Sequence, residues 1–257
     1  MTELASHILR RLRPWWFPLA GVVVFELYAR TLRRNSDAIA PPTAALRALL
    51  TAISDGSLWQ ATAFTLGTAA LGLLAGAVLG VSLGMALGLS RRASQMGFLS
   101  IEVLRPVPSV ALIPLAMLVF GFGVRMEFSI VAFASFWPML ILTQTAVQQV
   151  EPRLLEVSRV LGLTPLQRSL KIILPAIVPR LFVALRLGVA VALVVAVTVE
   201  IAANPNGMGY AMMIAQQSLD PALMLAWLLW IGVVGYAINA AAMRLQVWVA
   251  RRMGVAA

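Results

Sequence analysis

Few residues in this chain have the types and spacing that chemistry needs. There is no cysteine, which removes disulfides, thiolate metal sites and cysteine nucleophiles. The one histidine, His7, lies beside a basic stretch with no partner at ligand spacing and reads as solvated. A phosphate-binding P-loop needs Gly-x4-Gly-Lys-Ser/Thr, because its lysine reaches the phosphates. The one lysine, Lys171, stands between Leu170 and Ile172, so the chain holds no such loop. No nucleophile–base pair and no metal cluster emerges, so no catalytic or metal site is assigned. What remains are polar groups within or beside apolar runs, chiefly Glu200 with Asn204, and Gln144 with Gln148 one helical turn apart. Such groups are costly at membrane depth and normally face a cavity or the protein interior. They line a translocation pathway or form hydrogen bonds between helices, and the sequence leaves both readings open.

The elements that would position these groups are membrane helices. Of 257 residues, 61% are hydrophobic and 12% charged, whereas soluble domains carry about 25% charged residues. A span needs roughly 20 apolar residues, and about six such runs can be read. They cover residues 14–32, 58–89, 103–122, 128–147, 181–203 and 222–243. The third is interrupted by Pro106, Pro108 and Pro114. The fold class is therefore all-α, a polytopic integral membrane protein. The first run reads as an uncleaved span, since no small-x-small cleavage site follows it. The net charge of +10 would suggest nucleic acid in a soluble protein. Here most basic residues flank apolar runs, which points to membrane lipid instead. Their distribution, Arg91, Arg92 and Arg105 among them, places both termini in the cytoplasm, although Arg30, Arg33 and Arg34 disagree locally. Residues 1–57 then form an N-terminal part with the first span and an external segment. Residues 58–257 form the core with five spans.

Two further patterns stand out. Gly72, Gly76, Gly80, Gly84 and Gly88 recur every four residues along the second span. Such a row lets another backbone approach closely, inside the subunit or in a second copy. After Pro41-Pro42, apolar residues at Ala45, Leu46, Leu49, Leu50 and Ile53 predict an amphipathic helix at the outer membrane surface.

The longest cytoplasmic connection, about 151–180, is the most informative segment. Pro152 suits the first turn of a helix running to about Leu161, and Gly162 suits its C′ position. Thr164 reads as the N-cap of a second helix with Pro165 at N1 and Gln167 at N3, a capping box. Pro175 is expected to end or kink that helix. Glu156-Val157-Ser158, Gly162 and Ile172-Ile173-Leu174-Pro175 resemble the EAA loop of ABC importer permeases, written Glu-Ala-Ala-x3-Gly-x9-Ile-x-Leu-Pro. Val157 and Ser158 stand where that family prefers alanines. Arg105-Pro106-Val107-Pro108, Phe120-Gly121-Phe122-Gly123 and Glu200-Ile201-Ala202-Ala203 with Asn204, Gly207 and Gly209-Tyr210 extend the resemblance. Together they cover nearly the whole chain and point to the nitrate/sulfonate/taurine group.

The resemblance implies a type I ABC importer permease fold and a role as the non-catalytic membrane subunit of an ATP-driven importer. It implies that Glu156, Val157, Ser158 and Gly162 dock on a cytoplasmic ABC ATPase, with Leu155, Arg159 and Leu161 as neighbours in the contact. Glu156 is expected to hold the loop through polar contacts. ATP and Mg would be bound by the ATPase and no cofactor by this chain. The implied assembly has two ATPase copies, a second permease copy as a homodimer and an external substrate-binding protein, in the bacterial inner membrane. The implied cargo is a small anion such as a sulfonate or nitrate. A competing reading is a secondary transporter or channel, whose usual mark is an internal inverted repeat; no convincing repeat is visible.

Overall fold

The computed structural model describes residues 16–17, 20–31 and 39–253, and among them every regular element is helical. His7, the N-terminal arginines, Arg33 and Arg34 lie outside the described residues. So does part of the first expected span, of which 20–31 forms helix α1. The described residues divide into two compact units, those within Met1–Gln60 and Ala211–Ile231 and those within Ala61–Tyr210 and Gly232–Ala257.

In the first unit, α2 (Pro42–Ser54) follows Pro41 in extended conformation, with Pro42 at its first turn and no side-chain cap of its own. Glu26 of α1 supplies one. Its carboxylate accepts from the Thr43 N–H at 3.0 Å and the Thr43 hydroxyl at 2.8 Å, where a helix N-terminus favours negative charge. Arg30 Nε closes the same carboxylate at 2.6 Å. α2 is amphipathic as expected, with Ala45 and Ala52 buried while Leu46 and Leu50 are exposed. Asp55 then accepts from the Ser57 N–H at 2.8 Å. Hydrogen bonds from the Ser57 side chain and backbone hold its carboxyl below the usual carboxylate range. Trp59 and Trp230 meet edge to face at 5.7 Å.

Four described helices are long and apolar enough to span a membrane: α3 (Ser57–Leu89), α6 (Val124–Gln148), the continuous run Pro165–Ala203 and α11 (Pro221–Arg252). The third expected span is not one helix. α4 (Arg91–Leu104) meets the segment Ser109–Phe120, which ends in α5 (Ile113–Phe120), at an 80° bend. Pro106 and Pro108 lie in the break, where their missing N–H groups cannot continue a helical ladder. This pair counts as a fifth span if taken together.

The second unit is built on α6 packed along α9 (Leu174–Ala203). Met126, Ile130 and Val131 of α6 meet Ala192, Ala196 and Val199 of α9 in a buried cluster. The alanines keep the two backbones close. On its other side α6 receives the glycine row of α3. A Cβ on Gly76 would lie 2.6 Å from the Ala132 carbonyl, and one on Gly80 2.7 Å from that of Phe136. The row therefore packs inside the subunit, answering the question its spacing left open.

Candidate functional site

The connection after α6 folds much as its backbone chemistry dictates. α7 (Pro152–Val160) starts on its proline and closes in a Schellman turn. The Leu163 N–H bonds the Ser158 carbonyl at 3.1 Å and the Gly162 N–H bonds that of Arg159 at 3.0 Å. Gly162 sits at φ +62°, which a Cβ would strain. At the next turn, Thr164 Oγ1 accepts from the Gln167 N–H at 3.3 Å, and Gln167 Oε1 accepts from the Thr164 N–H at 3.0 Å. The expected capping box thus opens α8 (Pro165–Arg168).

Pro175 does not end this helix. A π-helical turn over Ser169–Ile173 carries α8 directly into α9, with the Leu174 N–H on the Ser169 carbonyl. The wider turn changes the hydrogen-bond register just before the proline, whose ring would otherwise meet the carbonyl one turn back. The connection is consequently one short helix followed by the extension of a long one.

The two faces of α7 differ sharply. Leu155 packs against Val147, Ile173 and Ile177, and Ser158 is fully buried with its hydroxyl donating to the Leu155 carbonyl at 2.6 Å. Glu156, Val157, Arg159 and Leu161 face outward with Val160. Val157, Leu161 and Val160 are 50%, 64% and 88% exposed. The Glu156 side chain makes no hydrogen bond or ion pair among the described residues, so it does not brace its own loop. The loop is braced instead by Leu155, the Schellman turn, the capping box, and Arg180 Nη1 donating to Gln149 Oε1 at 2.6 Å.

The other candidate residues separate into two groups. Gln144 and Gln148 both donate to Ser94 Oγ of α4, at 2.9 and 3.4 Å, and so tie α6 to α4. Glu200 and Asn204 are buried far from them, at the opposite end of the bundle. Glu200 Oε2 accepts from the Gly209 N–H at 2.8 Å, the start of α10 (Met208–Gln217). The neighbouring Met208 N–H bonds Thr65 Oγ1 at 2.9 Å. Asn204 Nδ2 donates to Glu127, which also accepts from the Thr68 hydroxyl. Glu127 is fully buried and is the residue the sequence reading missed. An acid directly bordering the fourth apolar run was the available signal. Gly207, at φ +94°, folds over the Glu200 carboxylate, which occupies the space a Cβ would need. Arg186 donates to Asn239 Oδ1 of α11 at 3.2 Å.

Neither set of residues offers a nucleophile with a base. The arrangement presents a stiff, outward-facing helix joined to two long spans, suited to passing force rather than making bonds.

Comparison with known proteins agrees with this. Residues 72–255 match the family described as binding-protein-dependent transport system inner membrane component. The chain is 32% identical over 212 residues to the aliphatic sulfonates transport permease protein SsuC of Escherichia coli (strain K12), covering 82% of this chain and 81% of that one. It is 29% identical over 211 residues to the taurine transport system permease protein TauC of the same organism, covering 80% and 77%. The inward-facing MetNI methionine ABC transporter superposes with a TM-score of 0.62 over 72% of this chain and 92% of that chain, at 20% identity, a likeness of fold. These relatives fit an ATP-driven importer and not a secondary transporter or channel. The family is one of non-catalytic membrane permease subunits, which associate in importers with an ABC ATPase and a binding protein. The chain belongs to the binding-protein-dependent transport system inner membrane component family, as a multi-pass permease subunit of an ABC importer.

Proposed function

We propose that α7 is the coupling helix of this permease and that its exposed ridge seats in a groove on the ATPase. The observation that carries this is the contrast between its faces. Leu155 and Ser158 fix the helix to α6 and α9, while Val157, Val160 and Leu161 stay uncovered beside Glu156 and Arg159. Uncovered apolar side chains rimmed by charge are what a protein partner buries. Gly162 sets the turn that stops the ridge. Within the site, Leu155 and Ser158 serve as anchors, and Glu156, whose side chain has no partner among the described residues, meets the ATPase.

In this reading two copies of the chain form a homodimeric pathway, each docked on one of two ATPases. The ATPases bind ATP and Mg; this chain binds no cofactor. Nucleotide draws the ATPases together, and each α7 passes the motion through Leu155 to the inner ends of α6 and α9. The ligand moves the equilibrium only through its different affinities for the two arrangements. An external binding protein delivers a small anion, a sulfonate or nitrate, and the name of SsuC supports the sulfonate. Both termini lie in the cytoplasm, in the bacterial inner membrane.

The test is co-purification of the ATPase with Val160→Asp and Glu156→Ala permeases. Val160 is almost wholly exposed, so Val160→Asp leaves the fold intact while placing a charge in the contact. Retention of the ATPase at wild-type yield by both variants would reject the docking surface.

A further inference from the structure

A cavity of about 450 Å³ opens in the second unit between the break after α4 and the facing sides of α6 and α9. Phe133 and Leu142 from α6 and Leu187 and Val191 from α9 give it apolar walls. Its ionic and hydroxyl groups are Arg105 and Ser109, with no carboxylate in the lining. The Arg105 side chain makes no hydrogen bond or ion pair among the described residues. Trp137, also in the wall, is held edge to face by Phe133 and Phe136, and its indole N–H has no acceptor.

The depth of this cavity matters. The Arg180–Gln149 hydrogen bond joins the end of α6 to the first turns of α9. The cavity residues of α6 run from Phe133 to Leu142, the middle of Val124–Gln148, and those of α9 from Leu187 to Val195, in the central part of Leu174–Ala203. An arginine that reaches a cavity level with the middle of two apolar helices, with no carboxylate in the lining, suits an anionic visitor. Broken helices at the midplane are where transporters place substrate sites, and the volume lies in the range of small-molecule pockets. None of Gln144, Gln148, Glu200 or Asn204 lines it.

We propose that this cavity is a transit subsite for a short amphiphilic organic anion, whose oxyanion head is held by Arg105 and Ser109 and whose alkyl tail lies on the α6–α9 wall. The inference rests on the reading of the chain as an importer of such anions and extends it from the binding protein to the permease. The guanidinium fork matches a sulfonate-like head in two-point contact. A single cation in an open site binds weakly enough to release its cargo, as conduction requires.

The permease–ATPase complex in lipid nanodiscs is titrated with hexanesulfonate, hexanol and hexylammonium by saturation-transfer NMR. Hexanesulfonate alone binds saturably, and Arg105→Gln weakens it about 10-fold or more, the loss expected for a hydrogen bond to a charged group. Arg105→Lys, which keeps charge without the fork, falls between the two and controls for folding, and Val191→Trp, which fills the wall, also removes binding. The subsite is overturned if hexanesulfonate fails to bind, if hexanol or hexylammonium binds equally well, or if Arg105→Gln binds like wild type. ATP-driven hexanesulfonate uptake by the complete transporter with its binding protein is followed in parallel. Uptake unaffected by Arg105→Gln rejects the subsite and leaves the importer reading standing. Binding at Arg105 without any such uptake rejects the substrate reading and leaves the subsite standing.

Discussion

Replacing Gly84 by alanine adds one methyl group and sets two effects of opposite sign against each other. In an unconstrained helix the change stabilises by about 0.5–1 kcal/mol, because glycine loses more backbone freedom on folding. At Gly84 the new Cβ would lie 2.6 Å from the Leu140 carbonyl oxygen and 2.8 Å from Thr143 Cβ. An ordinary contact needs about 3.4 Å, so the shortfall, 3.4 less 2.6, is about 0.8 Å. The obstacle is α6 backbone, which cannot rotate aside as a side chain does. The two helices must separate, and a gap of 0.5–1 Å forfeits roughly a quarter to a half of each dispersion contact along the seam. Overpacking of this kind costs about 1–3 kcal/mol, so the clash outweighs the propensity gain and the net loss is about 0.5–2 kcal/mol.

Gly232→Ala is the matched control, since its Cβ would meet nothing within 4 Å on a helix of similar length. Thermal midpoints of the purified permease in one detergent, at one scan rate, should place Gly84→Ala a few degrees below wild type and Gly232→Ala at or above it. Adding Gly80→Ala to Gly84→Ala should cost less than the two separately, because the first already parts the helices. A Gly84→Ala protein as stable as Gly232→Ala would refute the close approach of α3 to α6.

Three other outcomes follow from the buried acids and the loop. Glu127→Ala strips Thr68 and Asn204 of their common acceptor and should destabilise by about 2–3 kcal/mol, while Glu127→Gln, which keeps an acceptor, should cost less in the same melt. Gly207→Ala combines a left-handed backbone with overlap on the Glu200 carboxylate, so it should lower the melting midpoint more than Gly162→Ala, which meets open space and bears only the strain of about 1–2 kcal/mol. Gly162→Ala should therefore still yield folded permease, and its effect should appear in ATPase co-purification before it appears in stability.

What the sequence made legible was local. Pro152, Gly162, Thr164 and Gln167 each act on backbone groups within a few residues, so the α7–α8 turn could be drawn from their spacing. The glycine row was equally visible, yet its partner was not, because nothing in a run of glycines says which helix lies against it. Pro175 misled for a related reason. Proline reports a missing N–H, but whether the helix breaks there depends on the preceding turn, and a π turn changed the register. Glu26 lies within the first expected span, and nothing local tells that it holds Thr43, 17 positions away.

Charge at membrane depth shows the same division most plainly. Gln144 and Gln148 carried the same sequence signal as Glu200 and Asn204, yet Ser94 takes the glutamines into a helix contact while Glu127 joins the others in a buried cluster. Arg105 carried the signal of an inner-face anchor, and its side chain lines the cavity against α6 and α9. The cause is the proline break at Pro106 and Pro108, which turns the chain by 80° and brings the arginine beside α6 and α9. Residue type gives the chemistry available at a position. Depth decides what that chemistry meets, and depth is set by where the helices bend.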